Sequence, residues 1–442
     1  MKFRLAAAVL VSTLMAGTLM AGLAPAGAQV LPVPPGWQME RVVMLARHNV
    51  RAPTQSPEEL AKYAASPWPD WPVLPGQLTP RGAALARNMG LFFRAHFGGR
   101  GLIQEDDCPA PGIVVIWTDL DQRNEDNAIS TLGGLYLRCL NPILKHQTDF
   151  SKPDPLFHPS PSPSCPMDAA GNRAAILARI GGDFSSVLRE YAPQLTKLQS
   201  TLCPPGVATP GGACGLVAEA PDIVPDPRGG VAMKGPIAIG SMASEIFQLE
   251  SAEGMAANQV AWGRLAGGSA VRDVLKVHRL HTDLMEKTRP IAQQKGSNLL
   301  AQIVTTLQDG HKFPGAPNIA EPVRFAMLIG HDTNLANVAG LLNLDWEIPG
   351  FQENDPSPGG ALSFELMKEV RTGQRYVRLN YYAQTPEQLR QATPLNLDNP
   401  PGMVAVDLSA CSAQVRDRAC PLQRFVEIAN AAIDPGCVTI GK

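Results

Sequence analysis

The sequence predicts an α/β protein: a sandwich built from the two ends of the chain and capped by a smaller, mainly helical insert. Three observations carry this reading. Short, continuously apolar segments near the N-terminus flank one helix-length amphipathic stripe, the pattern of a parallel sheet covered on both faces. The middle of the chain has helical patterning. Strand character then returns toward the C-terminus.

The elements follow in order. Arg41-Val42-Val43-Met44-Leu45-Ala46 reads as a buried strand that stops at the polar, Pro-punctuated stretch Arg47-His48-Asn49-Val50-Arg51-Ala52-Pro53-Thr54. Thr79-Pro80 reads as a helix N-cap with Pro at the first helical position. Leu85, Met89, Phe92, Phe93 and Phe97 follow at helical spacing and form one apolar stripe. Gly112-Ile113-Val114-Val115-Ile116-Trp117 reads as a second strand, ending in Thr118-Asp119-Leu120-Asp121-Gln122-Arg123. A Pro- and Ser-rich connector runs from Pro153 to Pro166. Helical patterning then runs to His281, interrupted by a Gly/Pro-rich interval from Cys203 to Gly240. Arg324-Phe325-Ala326-Met327-Leu328-Ile329 reads as a strand ending at Gly330-His331-Asp332-Thr333-Asn334. Ala361–Leu366 and Tyr376–Tyr381 alternate across Arg371-Thr372-Gly373-Gln374, a hairpin pattern. The expected division is a leader over 1–28, an α/β domain from 29–165 and 282–442, and the helical insert over 166–281.

Lys2 and Arg4 precede an apolar stretch from Leu5 to Leu23, and Ala26-Gly27-Ala28 supplies a small-x-small cleavage signal. The chain is therefore expected to be exported, to the periplasm or beyond, into a compartment where disulfides persist, and its eight cysteines fit that setting. No later run is apolar enough to span a bilayer, so no membrane association is expected after cleavage. A formal net charge of −2, or −4 without the leader, gives no global basic field and excludes a nucleic-acid-coating protein. No Cys-x-x-Cys occurs, which argues against zinc ribbons and thioredoxin-like centres.

The chemistry is expected beyond the strand ends. In an open parallel sheet, functional groups gather outside the C-terminal ends of strands, so Arg47-His48-x-x-Arg51, Arg123 and His331-Asp332 can converge. Arginine matches phosphate oxygens bidentately, and three of them would neutralise a phosphoryl group through its transition state. A neutral imidazole among them is a competent nucleophile. Asp332 would protonate the departing alkoxide, which calls for a carboxyl held partly protonated.

Arg47-His48-Asn49-Val50-Arg51-Ala52-Pro53 with a distal His331-Asp332-Thr333-Asn334 resembles the histidine acid phosphatases, within them the bacterial periplasmic phytase and glucose-1-phosphatase branch. Trp68-Pro69-Asp70-Trp71-Pro72, Leu78-Thr79-Pro80-Arg81-Gly82, Asp154-Pro155-Leu156-Phe157, Trp262-Gly263-Arg264 and Pro358-Gly359-Gly360 extend the resemblance over the mature chain. It implies a phosphoglycerate-mutase-like α/β sandwich with a helical cap and a two-step reaction through a phosphohistidine. By this mapping His48 is the nucleophile and Asp332 the proton donor. Arg47, Arg51, Arg123 and His331 would hold the phosphate, Thr54 would lie at the pocket edge, and Glu245 would contact substrate. No metal or other cofactor is implied; the partner is a small phosphate ester, and a monomer is expected.

Three positions depart from the pattern. Asn49 stands where Gly is usual, and is expected to meet the loop's geometry through its tolerance of unusual backbone angles. Asn124 replaces a more usual Thr, and Gln55 stands where the phytase branch can place a lysine. Asn49 and Gln55 tilt the substrate toward sugar phosphates such as glucose 1-phosphate, whereas Glu245 and Thr333 tilt it toward phytate. A phosphoryl-transfer mutase of the same superfamily is an alternative that the leader argues against. A non-catalytic phosphate-ester-binding protein would need the arginines but not Asp332.

Proximity pairs Cys203 with Cys214 and Cys411 with Cys420, each across a short loop. For the other four cysteines the pairing that agrees with the resemblance is Cys108 with Cys139 and Cys165 with Cys437. His278-x-x-His281 has helical spacing but no evident third ligand, and reads as a solvated or packed helix face. His96, His146, His158 and His311 have no motif around them.

Overall fold

The computed structural model describes residues 32–136, 139, 143–145, 154–206, 214–218, 220–227, 229–311 and 322–439. The leader, His146 and Pro153 lie outside them. The chain begins with β1 (Trp37–Arg47), α1 (Pro57–Leu60), α2 (Pro80–Gly98), β2 (Val114–Thr118), α3 (Gln122–Leu135) and β3 (Ile143–Lys145). Its middle holds α4 (Ala169–Arg179), α5 (Ser185–Glu190), α6 (Ala192–Leu202), the hairpin β4 (Asp222–Pro225) and β5 (Val231–Lys234), α7 (Pro236–Ala252) and α8 (Gly268–Glu286). There follow α9 (Arg289–Gln308), β6 (Phe325–Gly330), α10 (Asp332–Leu342), β7 (Ala361–Glu369) and β8 (Arg375–Ala383). The chain ends with α11 (Pro386–Gln391), β9 (Gly402–Val406), β10 (Ala419–Pro421) and α12 (Leu422–Ala432).

One eight-stranded mixed sheet runs β10-β8-β7-β1-β6-β2-β3, with β9 also on β8. Strands β1, β6, β2 and β3 are parallel, and β7 joins β1 antiparallel. The predicted hairpin is β7–β8; β7 starts where its alternation does but runs on to Glu369, and β8 extends to Arg375 and Ala383. Strand β6 enters between β1 and β2, although it lies some two hundred residues further along the chain.

The continuous apolar strands face two cores. On one face Val43, Leu45, Val115, Trp117, Ala326 and Leu328 pack under α9, α10 and α12. On the other, Val42, Met44, Ile116 and Met327 meet Met89, Phe92, Phe93 and Phe97 of α2 and Leu135 of α3. The stripe read from the sequence is the buried face of α2, and Thr79 caps it by accepting from Gly82 N.

The middle helices have a core of their own, with Ile176, Leu198, Phe247, Val274 and Val277 at its heart. It also takes Ala64 from before α2 and extends to Ile291. The Gly/Pro-rich interval contains the β4–β5 hairpin, which the patterning does not reveal. Helix α7 joins the two bodies: Ala243 and Phe247 belong to the helical core, Leu249 and Ala252 to the sheet core. Trp68 stacks on Phe247 and lies 4.8 Å from Trp262, so two of the sequence motifs meet here. Among the described residues no helix is long and apolar enough to cross a membrane.

Disulfides join Cys108–Cys139, Cys165–Cys437, Cys203–Cys214 and Cys411–Cys420.

Candidate active site

The register of the parallel strands brings the polar clusters together. Arg47 at the end of β1 is level with Gly330 at the end of β6, and Thr118 of β2 is level with Ile329. Everything after these residues leaves the sheet on the same edge, as expected for the carboxyl ends of parallel strands. Phe157, from the Asp154–Phe157 motif, packs so closely on Gly330 that an added Cβ would lie 2.6 Å from its ring.

His48 is 2 % exposed, and its Nδ1 lies 2.8 Å from the carbonyl oxygen of Asn49. A carbonyl only accepts, so Nδ1 carries the proton and Nε2 keeps the lone pair. Burial, then the positive charges of Arg123, His331, Arg47 and Arg51, hold this imidazole well below its ordinary pKa. Both influences favour the neutral imidazole.

Asn49 corrects an expectation. It is absent from the positive-φ residues, so the loop does not use its tolerance of the left-handed region. Its backbone N donates to Asn127 Oδ1 at 2.9 Å, and its Oδ1 accepts from Val50 N at 2.9 Å. Its amide instead faces Gly359, where φ is +70° and an added Cβ would meet Asn49 Nδ2 at 2.3 Å. The Pro358-Gly359-Gly360 motif thus makes room for the asparagine.

Arg47 is 1 % exposed; its Nη1 donates to Pro356 O at 2.7 Å and its Nη2 lies 3.1 Å from Asp332 Oδ2. The same Nη2 donates to Glu245 Oε1. Arg51 Nη2 reaches both Glu245 oxygens, at 3.1 and 3.2 Å. Glu245, projecting from α7, is therefore not directed only at substrate: it is the counter-ion of both arginines. Burial would raise its pKa, but Arg51 and Arg47 outweigh that and hold it ionised.

Asp332 opens α10. The expectation of a partly protonated carboxyl is overturned in the free protein. Burial pushes its pKa up, but Arg47, then His278, Arg51 and His48, drive it well below the usual carboxylate range. The guanidiniums decide the sign.

On the other flank, Arg123 Nη2 lies 2.5 Å from Asp121 Oδ2 and 2.7 Å from His331 Nε2. His331 Nε2 is 2.9 Å from the same Asp121 oxygen, so one carboxylate serves both. The His331 ring stands edge-on to His48 with centroids 5.5 Å apart. Arg123 therefore shares a pocket with the His48 loop. Thr54 is exposed at the rim; Gly76 lies between it and Arg123, with its Cβ direction 3.7 Å from Thr54 Cγ2 and 3.8 Å from Arg123 Nη1. Asn124 donates to Asp119 Oδ1 at 2.7 Å, anchoring that carboxylate under His331.

Sequence reasoning misses four groups. Asp119 and Asp121 are visible there only as part of the polar cluster after β2. His158, the residue directly after the Asp154–Phe157 motif, lies 3.2 Å from Asp119 Oδ2. His278, whose spacing reads as a solvated or packed face, has its Nδ1 3.0 Å from the Ser241 hydroxyl, while its buried Nε2 has no hydrogen-bond partner. Donor atoms of Glu245, His278 and Asp332 lie within 4.8 Å of one another, a grouping that the spacing of His278 and His281 cannot reveal.

The arrangement combines a buried neutral imidazole, three guanidiniums and a carboxylate at a helix N-terminus, which suits attack on an anionic phosphoryl group. Comparison with known proteins agrees. Residues 38–202 and 248–382 match the histidine phosphatase superfamily (branch 2), and Glu245 falls just outside the matched segments. The chain is 34 % identical to the phytase AppA of Escherichia coli (strain K12), over 91 % of this chain and 94 % of that protein. It is 26 % identical to the glucose-1-phosphatase of Salmonella typhimurium, over 93 % and 96 %. Its fold superposes on Hafnia alvei phytase in complex with tartrate with a TM-score of 0.84 at 35 % identity, covering 92 % of this chain and all of that one. The complex of that phytase with myo-inositol hexakis sulphate gives 0.82 at 33 % identity, with the same coverage. The chain belongs to the histidine phosphatase superfamily, branch 2.

Proposed function

We propose that this protein is an exported acid phosphatase that hydrolyses phosphomonoesters through a phosphohistidine, with inositol polyphosphates as its preferred class. The observation that carries the mechanism is the Nδ1–H of His48 fixed on its neighbour's carbonyl, which dedicates Nε2 to attack. Nε2 displaces the alkoxide from phosphorus while Arg47, Arg51, Arg123 and His331 hold the non-bridging oxygens. Water then attacks the phosphoimidazole in the second half-reaction.

The ionised Asp332 fits this scheme once substrate is considered. A phosphate ester has its second pKa near 6, so at about pH 5 it arrives largely as a monoanion. Its negative charge offsets Arg47 and Arg51, which raises the Asp332 carboxyl, and its proton can pass through Asp332 to the leaving oxygen. Greater similarity to phytases than to the glucose-1-phosphatase favours inositol polyphosphates. The cleavable leader and four disulfides support export into an oxidising compartment, the periplasm. In this reading the two chain ends form the catalytic body and residues 166–281 form a cap over it.

The test is inorganic phosphate release at about pH 5, without metal, by wild type and His48→Ala. Loss of release in the variant is expected; equal release by both refutes the phosphohistidine route. Initial rates on inositol hexakisphosphate and glucose 1-phosphate then decide the substrate class, and a faster rate on the sugar phosphate overturns the preference for inositol polyphosphates.

A further inference from the structure

One atom of the pocket has no role in this chemistry. His331 Nε2 lies 2.9 Å from Asp121 Oδ2, an acceptor, and 2.7 Å from Arg123 Nη2, a donor, so that nitrogen is engaged on both sides. The ring's other nitrogen is Nδ1. That nitrogen is buried with no hydrogen-bond partner, and His331 is 7 % exposed. What faces it is Asp119 Oδ2, 3.6 Å away. The same carboxylate oxygen lies 3.2 Å from His158 Nε2, and the His158 and His331 rings are 4.7 Å apart.

We propose that Asp119 Oδ2, His158 Nε2 and His331 Nδ1 form a binding site for a divalent cation of the zinc class, beside the phosphate pocket and outside the hydrolytic reaction. Two imidazoles and a carboxylate are a donor set that zinc favours. Zinc bonds of about 2.0–2.1 Å in a tetrahedron put ligand atoms roughly 3.4 Å apart. The two edges at Asp119 Oδ2, 3.2 and 3.6 Å, bracket that spacing, and one donor atom from each of the three residues lies within 4.8 Å of the others. The orientation of Asp119 is already fixed, because its other oxygen accepts from Asp121 N at 3.0 Å and Asn124 Nδ2 at 2.7 Å. The two carboxylates outweigh Arg123, so the cation meets local negative charge. His158, with its side chain 44 % exposed, leaves a solvent side for entry and for a fourth, water ligand. A cation on Nδ1 would lock His331 as an Nε2–H donor.

The test is calorimetric titration of zinc chloride into chelator-treated protein in phosphate-free buffer, with cobalt(II) as a spectroscopic probe. Wild type is expected to take up one zinc ion and to give the visible ligand-field bands of tetrahedral cobalt. His158→Asn should lose the bands and bind zinc at least about tenfold more weakly. His278→Asn should bind as wild type does, since it belongs to the other group of ligating side chains. Absence of binding in wild type, undiminished binding in His158→Asn, or loss in His278→Asn overturns the assignment.

Discussion

Replacing Glu245 with glutamine separates two roles for this residue. If the carboxylate mainly neutralises the phosphate-binding arginines, its removal should tighten phosphate binding; if it mainly contacts substrate, its removal should weaken it. The structure favours the first. Arg47 keeps Asp332 at 3.1 Å after the change, so its electrostatics alter little. Arg51 has no other ion pair among the described residues and is released. A hydrogen bond to a charged group is worth about 1.5–3 kcal/mol net. Glu245 is 14 % exposed and its two contacts with Arg51 are replaced partly by the glutamine oxygen, so about 1.5–2.5 kcal/mol should be recovered by an incoming phosphate. That corresponds to roughly ten- to seventyfold in affinity. The assay is competitive inhibition by inorganic phosphate of p-nitrophenyl phosphate hydrolysis at about pH 5, with thermal melting as a check on folding. An inhibition constant for Glu245→Gln equal to or weaker than that of wild type refutes the counter-ion argument.

Three further predictions concern other parts of the molecule. Asp332→Asn should lower kcat by about 10²–10⁴ on alkyl phosphates but far less on p-nitrophenyl phosphate, whose leaving group needs no proton; equal losses on both would contradict a proton-donor role. Glu250 is fully buried, with Oε2 accepting from Ala261 N at 2.8 Å, and burial pushes its carboxyl up to about 8. The folded state therefore binds a proton that the unfolded chain has lost above about pH 4.5, so this group's stability contribution falls as pH rises from there to about 8; Glu250→Gln should flatten the decline in Tm over that window, and an unchanged slope would refute it. Replacing Cys165 and Cys437 by serine opens a closure of 272 residues, against 11 for Cys203 and Cys214. Chain entropy gives about 5–6 against about 3 kcal/mol, so denaturant titration should find the first pair the costlier loss, and the reverse order would reject the entropic account.

What can be read from the chain is what repeats a local rule. Val42–Ala46, Val114–Trp117 and Phe325–Ile329 are apolar on both sides because both sides are covered, and Thr79-Pro80 signals its helix through capping chemistry. The arginines and histidines at the strand ends stand out by type and place. The short edge strands β9 and β10 and the β4–β5 hairpin carry too few residues for periodicity to register. Asp119, Asp121, His158 and His278 are illegible for another reason: each acquires meaning only from a partner distant in sequence, as His158 does from Asp119.

The carboxylates of the folded site change the electrostatic argument itself. A count of strand-end arginines predicts a standing positive pocket in a nearly neutral protein. The folded site instead sets Arg47, Arg51 and Arg123 against Asp119, Asp121, Glu245 and Asp332, so the free pocket is not a cationic trap. Pairing keeps three buried or half-buried guanidiniums from bearing an unpaired charge at low dielectric. A phosphate then gains by exchange, taking over hydrogen bonds that Glu245 and Asp332 already hold in place, and the geometry of those bonds is preorganised before it arrives. Such a site should bind phosphate with weak dependence on ionic strength, because the long-range field that salt screens is absent while the contacts it leaves intact do the binding.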